Sequence, residues 1–360
     1  MSDAKRRRAA TLPYVPELDG LRAVALLAVI GVHTVQNIMP GAYIGVDVFF
    51  VLSGFLITRI LITEFEATGH INFLNFYARR GLRLMPALWL FLLVWVVVAI
   101  LHGGEKEHDH LWAALSAGLY FMNWTRAFDI GPSGPVGHTW SLAVEEQFYL
   151  VWPPLLLLAL TRVNRSSVWL PTLALLVASF AWRAFLIYAG ADEDRVYNGF
   201  DTRAETLLFG CLLAVLPMAR WASFGRRLWF VPVGCLLLCV FFLPIVDNGN
   251  PGKVWKLVFT VGFSVVAGCA AWVIMLIYEY RSVLHIPVLS WKPMVYLGRI
   301  SYGVYLWHYP INLLLKPHLP GPVNFAVTTA SSVVIATASF QLIEARALRL
   351  KRRFVPTVPA

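Results

Sequence analysis

Ten stretches of this sequence stay apolar for close to the twenty or so residues that a helix needs to cross the hydrocarbon core of a bilayer. They run over 20–38, 43–63, 84–101, 142–160, 168–190, 204–219, 228–246, 257–278, 297–315 and 323–343. A water-soluble domain cannot bury that much continuous apolar chain. Composition agrees: 58% of the residues are hydrophobic and 14% are charged, against roughly 25% charged in soluble domains. The expected fold is all-α, a polytopic membrane bundle of about ten transmembrane helices. Disordered chains, secreted disulfide scaffolds and freely soluble enzymes are excluded. Cys211, Cys235, Cys239 and Cys269 all fall inside apolar stretches, where a free cysteine behaves as a small core residue.

The net charge is +10. No nucleic-acid motif accompanies it, and the cations come in short blocks between apolar stretches, as in membrane proteins whose basic loops stay cytoplasmic. With the N-terminus inside, the blocks Lys5–Arg8, Arg79–Arg83, Arg162–Arg165, Arg220–Arg227, Arg281–Lys292 and Arg346–Arg353 share that side, as do Arg22, Arg59 and Arg299 at helix ends. If the shorter apolar segment 111–124 also crossed, the Arg220–Arg227 loop would move outside. That segment is therefore expected as an interfacial or re-entrant helix on the outer face, with both termini cytoplasmic. The chain divides into a basic cytoplasmic segment, 1–12, a membrane domain, 13–345, and a basic cytoplasmic tail, 346–360. The first span carries Arg22 and His33, unlike the apolar core of a cleaved signal sequence, so no cleavage is expected.

Ionisable side chains inside spans are costly and mark functional sites by default. ELDGLRAVALLAVIGVH (17–33) puts Arg22 and His33 eleven residues apart. At about 100° per residue both lie on one helix face, about 16 Å apart along the axis. Asp47 lies in YIGVDVFFVLSGFLIT (43–58), close in depth to His33, with Ser53 and Gly54 allowing close helix approach. In HTWSLAVEEQFYLVWPP (138–154), Glu145 and Glu146 are expected one turn into the outer end of a span. LGRISYGVYLWHYPI (297–311) runs outward from Arg299 through Tyr302, and Ser301, Tyr305 and His308 share a face. Packing alternatives exist: Arg22 as an inner anchor, Asp47 as a dipole partner, the histidines as core or as part of an aromatic belt. Taken together, though, His33, Asp47, Glu145, Glu146 and His308 gather in the outer half, and Arg22, Arg79, Arg80, Arg83 and Arg299 at the inner face. A cationic inner mouth suits a phosphorylated ligand. A histidine beside carboxylates suits removal of a hydroxyl proton.

In these stretches, with FYARRGLRLMPAL (76–88) and FDTRAETLLFGCLLA (200–214), the chain resembles the bacterial acyltransferase 3 family of integral membrane proteins, nearly end to end. The resemblance implies a membrane O-acyltransferase, here without the esterase-like C-terminal domain that some members carry. It implies transfer of an acyl group, usually acetyl, from cytoplasmic acyl-CoA to a hydroxyl of an extracytoplasmic or lipid-linked glycan. Acetyl-CoA is then a co-substrate, not a resident cofactor. By the same resemblance His33 is the catalytic histidine, Arg22 supports the donor or the site and Glu145 is the family's glutamate; Glu145 or Asp47 is expected to orient the His33 imidazole. Arg22, Arg79, Arg80 and Arg83 are donor contacts. Glu146, Tyr302, His308 and Trp140 are candidates for holding the acceptor.

The expected partners are acyl-CoA, a glycan or glycosylated acceptor, the lipid of a bacterial inner membrane and, if transfer needs one, a separate extracytoplasmic protein. Neither nucleic acid nor a metal is expected. The outer loops 102–140 and 191–203 are expected to choose the acceptor, and HGGEKEHDH (102–110) reads as a solvated polar loop before it reads as a metal site. The alternative is a proton-coupled transporter or flippase, to which intramembrane His, Glu and Asp are also suited, although the sequence has no visible inverted repeat. A non-catalytic scaffold gives no reason for Arg22 and His33 to share a helix face.

Overall fold

The described parts of the ten predicted spans are mostly helical. The computed structural model describes residues 12–102, 107–217, 227–243, 253–281, 286–350 and 354. The N-terminal block Lys5–Arg8, Glu105, Lys106, Arg220, Arg226 and the tail residues Lys351–Arg353 lie outside the described residues. Among the described residues no strand occurs. The helices are α1 (Pro16–Thr34), α2 (Ile44–Thr68), α3 (Phe73–His102), α4 (Glu107–Gly118), α5 (Met122–Ala127), α6 (Trp140–Arg162), α7 (Trp169–Tyr188), α8 (Glu193–Asn198), α9 (Phe200–Val215) and α10 (Phe230–Phe242). They continue with α11 (Phe263–Glu279), α12 (Lys292–Arg299), α13 (Ser301–Leu315), α14 (Gly321–Ser339) and α15 (Ala345–Leu350). Six helical runs are long and apolar enough to cross a bilayer: Ile44–Thr68, Phe73–Leu101, Gly134–Arg162, Arg165–Tyr188, Trp255–Glu279 and Gly321–Leu350. The chain is an all-α, multi-pass membrane bundle.

Local chemistry sets several helix ends. Pro16 begins α1, where a missing N–H costs nothing. Gly69 ends α2 with φ 75°, a left-handed cap that glycine adopts freely. Segment 111–124 does not form one span. It breaks between α4 and α5, where Tyr120 takes a positive φ of 53° and its carbonyl accepts the Gln147 side-chain amide at 2.8 Å. The predicted span 297–315 is also broken, at Ile300, which ends α12; α13 starts one residue later.

The site is positioned by α1, α2, α6, α9 and α13. Leu26 and Ile30, Phe50 and Ile57, Phe148 and Trp152, Leu207, and Val304 from those five helices share one buried apolar cluster. Helices α2 and α9 cross at backbone distance. A Cβ on Gly54 would strike the Leu207 carbonyl, and one on Gly210 the Val51 carbonyl, so only glycine permits this approach.

Candidate active site

A cavity of about 720 Å³ opens at the arginine-rich end of the bundle. Arg22 of α1, Arg79, Arg80 and Arg83 of α3 and Arg299 of α12 line it, as do Asp19, Glu64 and Glu344. Glu344 arrives on a π-helical turn, Phe340–Glu344, a local widening frequent at functional sites.

Most of these cations already have partners. Arg22 binds Asp19 at 2.8 Å and Arg79 binds Glu64 at 3.0 Å. Arg80 stands 3.7 Å from Glu146 with its guanidinium over the Tyr149 ring at 3.6 Å. Arg299 lies 3.9 Å from Asp19. Tyr14 ties the mouth together, donating to Asp19 at 2.9 Å and accepting from Arg299 at 2.9 Å. Partial burial lifts its phenol above the usual range, despite the opposing pull of the Arg299 bond. Arg83 is exposed into the cavity and forms no ion pair among the described residues. The cationic mouth expected from sequence is thus largely neutralised, with Arg83 as its accessible surplus.

Glu145 lies deeper than expected. The helical run starts at Gly134, as a 3₁₀ turn (Gly134–Thr139) leading into α6, so Glu145 stands eleven residues in. It lines the cavity together with Arg22 and accepts the Ser53 hydroxyl at 2.6 Å. Tyr302 also lines the cavity, whereas Glu146 is turned to Arg80.

The cavity ends at Ser141 and Tyr305, both of which line it. The Tyr305 hydroxyl lies 2.7 Å from that of Ser141 and donates to the His138 carbonyl at 2.7 Å. Directly behind Tyr305 is a cluster of three histidines. The Tyr305 ring packs on His138 at 5.4 Å and on His308 at 5.3 Å. His33 stands 5.4 Å from His308 and 4.8 Å from Tyr309 between ring centroids. Cavity and histidine cluster are therefore separated by the thickness of one side chain.

The third histidine, His138, lies in the motif HTWSLAVEEQFYLVWPP (138–154) and has no role assigned from sequence. Its signal was a histidine at the entry of a predicted span, one that a buried helix start must satisfy. Here His138 is buried, with Nε2 3.1 Å from the Leu306 carbonyl.

Two expectations about His33 need correction, because neither carboxylate assigned to it reaches it. Glu145 is held by Ser53 in the cavity. Asp47 is ion-paired with Arg203 at 2.7 Å, and both side chains have 0% exposure. A fully buried guanidinium demands a carboxylate, and the close α2–α9 crossing supplies Asp47. The Phe263 ring lies 4.1 Å from the Arg203 guanidinium, with Phe50, Trp140 and Tyr197 around it. Trp140, expected at the acceptor, forms one wall of this box. A second sealed pair, Arg183 with Glu205 at 2.6 Å, is bridged by Ser264. Of the polar loop 102–110, His110 packs on Trp95 at 5.2 Å. Among the described residues no group of three could hold a metal.

Comparison with known proteins gives this architecture a family. The chain is similar to a peptidoglycan O-acetyltransferase, OatA, of Listeria monocytogenes, with 36% identity over 94% of this chain and 57% of the relative. It is also similar to an O-acetyltransferase OatA of Staphylococcus aureus, with 31% identity over 92% of this chain and 57% of the relative. The chain spans little more than half the length of these relatives. No solved structure matches it. The family described as the acyltransferase domain matches residues 15–343, a range that takes in most of the cavity lining, the partition at Tyr305 and all three histidines, and the chain belongs to that family.

Proposed function

We propose that this chain is a membrane O-acetyltransferase. It moves an acetyl group from cytoplasmic acetyl-CoA to a hydroxyl of an extracytoplasmic glycan, with His33 as general base. The observation that carries this reading is the adjacency just described: an arginine-lined cavity whose far wall, Tyr305, is also a wall of the histidine cluster. The topology is ten spans with both termini cytoplasmic, in a bacterial inner membrane. The basic loops and the 5–8 block support it through the positive-inside rule. The names of the relatives support a peptidoglycan-type acceptor.

In this reading the phosphates of coenzyme A meet Arg83 first, and Arg22, Arg79 and Arg80 by exchange with their carboxylates. The slender pantetheine arm runs up the cavity past Glu145 and Tyr302, along the roughly 16 Å that eleven helical residues place between Arg22 and His33. His33 takes the proton of the acceptor hydroxyl, the oxygen bonds to the thioester carbonyl carbon, and the carbon–sulfur bond breaks. The departing thiolate recovers the proton from His33. The sealed Asp47–Arg203 pair serves the architecture and takes no part in the reaction.

The test uses the purified chain in liposomes with acetyl-CoA labelled in the acetyl group and a peptidoglycan oligosaccharide as acceptor. His33→Ala is expected to lower label transfer by about 10³-fold, within the range general-base catalysis contributes, with folding intact. Transfer by well-folded His33→Ala at near-native rate overturns the assignment. A transporter forms no new covalent bond and gives no labelled product from the native chain either.

A further inference from the structure

His308 is fully buried, and its Nδ1 lies 2.6 Å from the Tyr305 carbonyl oxygen. A carbonyl can only accept, so Nδ1 carries the proton, and in the neutral ring Nε2 is left with a lone pair. This Nε2 is buried with no hydrogen-bond partner among the described residues. Buried polar atoms are nearly always partnered, so an orphan of this kind needs an explanation. Around it, His138 stands edge-on at 5.5 Å and 86°, with its own Nε2 committed to the Leu306 carbonyl. The other imidazole beside it is His33, at 5.4 Å and 37°. Among the described residues His33 pairs with no carboxylate: Asp47 is ion-paired with Arg203 and Glu145 accepts from Ser53. A base that must present one particular nitrogen to its substrate needs a group holding the other. The geometry offers His308.

We propose that His308 is the positioning partner of His33: a small turn of the two rings, 5.4 Å apart between centroids, lets the unpartnered Nε2 of His308 accept the N–H of His33 during the reaction, so that the opposite nitrogen of His33 keeps a free lone pair for the acceptor hydroxyl. The proposal rests on the acyl-transfer reading above and adds a residue to it. As His33 takes the hydroxyl proton, the new oxygen–carbon bond forms and the carbon–sulfur bond breaks; the thiolate then takes that proton back. His308 neither gains nor loses a proton over the cycle. It fixes the His33 tautomer and disperses the charge of the transient imidazolium. A neutral imidazole suits this buried place, because it avoids burying a second ion when His33 is uncharged.

Three substitutions separate positioning from packing. His308→Phe keeps the ring volume without an acceptor. His308→Asn keeps a donor for the Tyr305 carbonyl but has no atom where Nε2 stands. His308→Gln offers an acceptor oxygen at that place. In the labelled acetyl-CoA assay, His308→Phe and His308→Asn are expected to lower kcat about 100-fold, the low end of an acid–base contribution. The KM for acetyl-CoA should stay within about twofold, and His308→Gln should regain about tenfold of the lost kcat. If Phe or Asn keeps kcat within about threefold of native, or if Gln is no better than Asn, His308 only fills space and the proposal falls. Should the Phe chain fail to fold, the Asn–Gln contrast decides alone. His33-dependent transfer by the native chain tells the two failures apart. Without it, the acyl-transfer reading and this proposal fall together; with it, a normal His308→Asn chain overturns the proposal only.

Discussion

The bundle buries arginine in two ways, and the contrast separates structural charge from usable charge. Around Arg183 and Arg203 each guanidinium meets a carboxylate at 2.6–2.7 Å with at most 1% exposure on either side. Rings close over Arg203, and no ligand can exchange into the pair. Around the cavity the pairs run from 2.8 Å for Arg22–Asp19 and 3.0 Å for Arg79–Glu64 to 3.7 Å for Arg80–Glu146 and 3.9 Å for Arg299–Asp19, and Arg83 is left over. Both regions score alike as charge inside apolar sequence. Only the second can offer that charge to an incoming anion. Sealing spends the whole electrostatic gain on desolvation, whereas a half-open pair keeps part of it available.

The largest effect should come from breaking a sealed pair. Arg203→Met leaves the Asp47 carboxylate buried and alone, which should cost about 3–5 kcal/mol and appear as a large fall in the thermal unfolding temperature in detergent. Adding Asp47→Leu should restore most of that loss, because two apolar side chains replace the pair without stranding a charge. If Arg203→Met unfolds like the native chain, water or lipid headgroups reach the site, and the distinction between sealed and open regions fails.

What the sequence revealed follows the range over which each signal acts. The helices, the gathering of arginines at one end and the shared face of Tyr305 and His308 rest on period and charge within a few turns, and these were legible. Partnerships across helices were not. Asp47 finds Arg203 at a separation of 156 residues and Ser53 finds Glu145 at 92, and no local pattern encodes either. The depth of Glu145 was misjudged because GPSGP (131–135) reads as a loop, although Pro135 sits at the start of the 3₁₀ turn that begins the run. Asp47 inside a membrane requires a cation at its own depth, and Arg183 and Arg203 are two of the basic residues in that half.

A smaller effect tests the open region. Arg83→Gln should raise the KM for acetyl-CoA by about 10- to 100-fold, as expected for losing one charge-assisted bond worth about 1.5–3 kcal/mol. Its unfolding temperature should barely move, because no described pair is broken. Arg79→Gln should raise KM less, since Glu64 already holds Arg79 and also accepts the Asn72 amide at 2.9 Å. A larger effect at Arg79 than at Arg83 would mean that pairing does not withhold an arginine from the donor, and the comparison would lose its functional half.

The smallest effect has the opposite sign. Glu146 competes with any anion for Arg80, from 3.7 Å and with both side chains only about a fifth exposed. A half-open pair of this kind is worth up to about 1 kcal/mol. Glu146→Gln removes the competitor and keeps the shape, so the KM for acetyl-CoA should fall by roughly two- to fivefold. The gain should shrink in high salt, which screens Arg80 whether or not Glu146 is present. The other outcome is as informative. A KM that rises in Glu146→Gln would mean that the carboxylate holds the guanidinium in place for the donor, making Arg80 a positioned contact rather than a charge shared between two claimants.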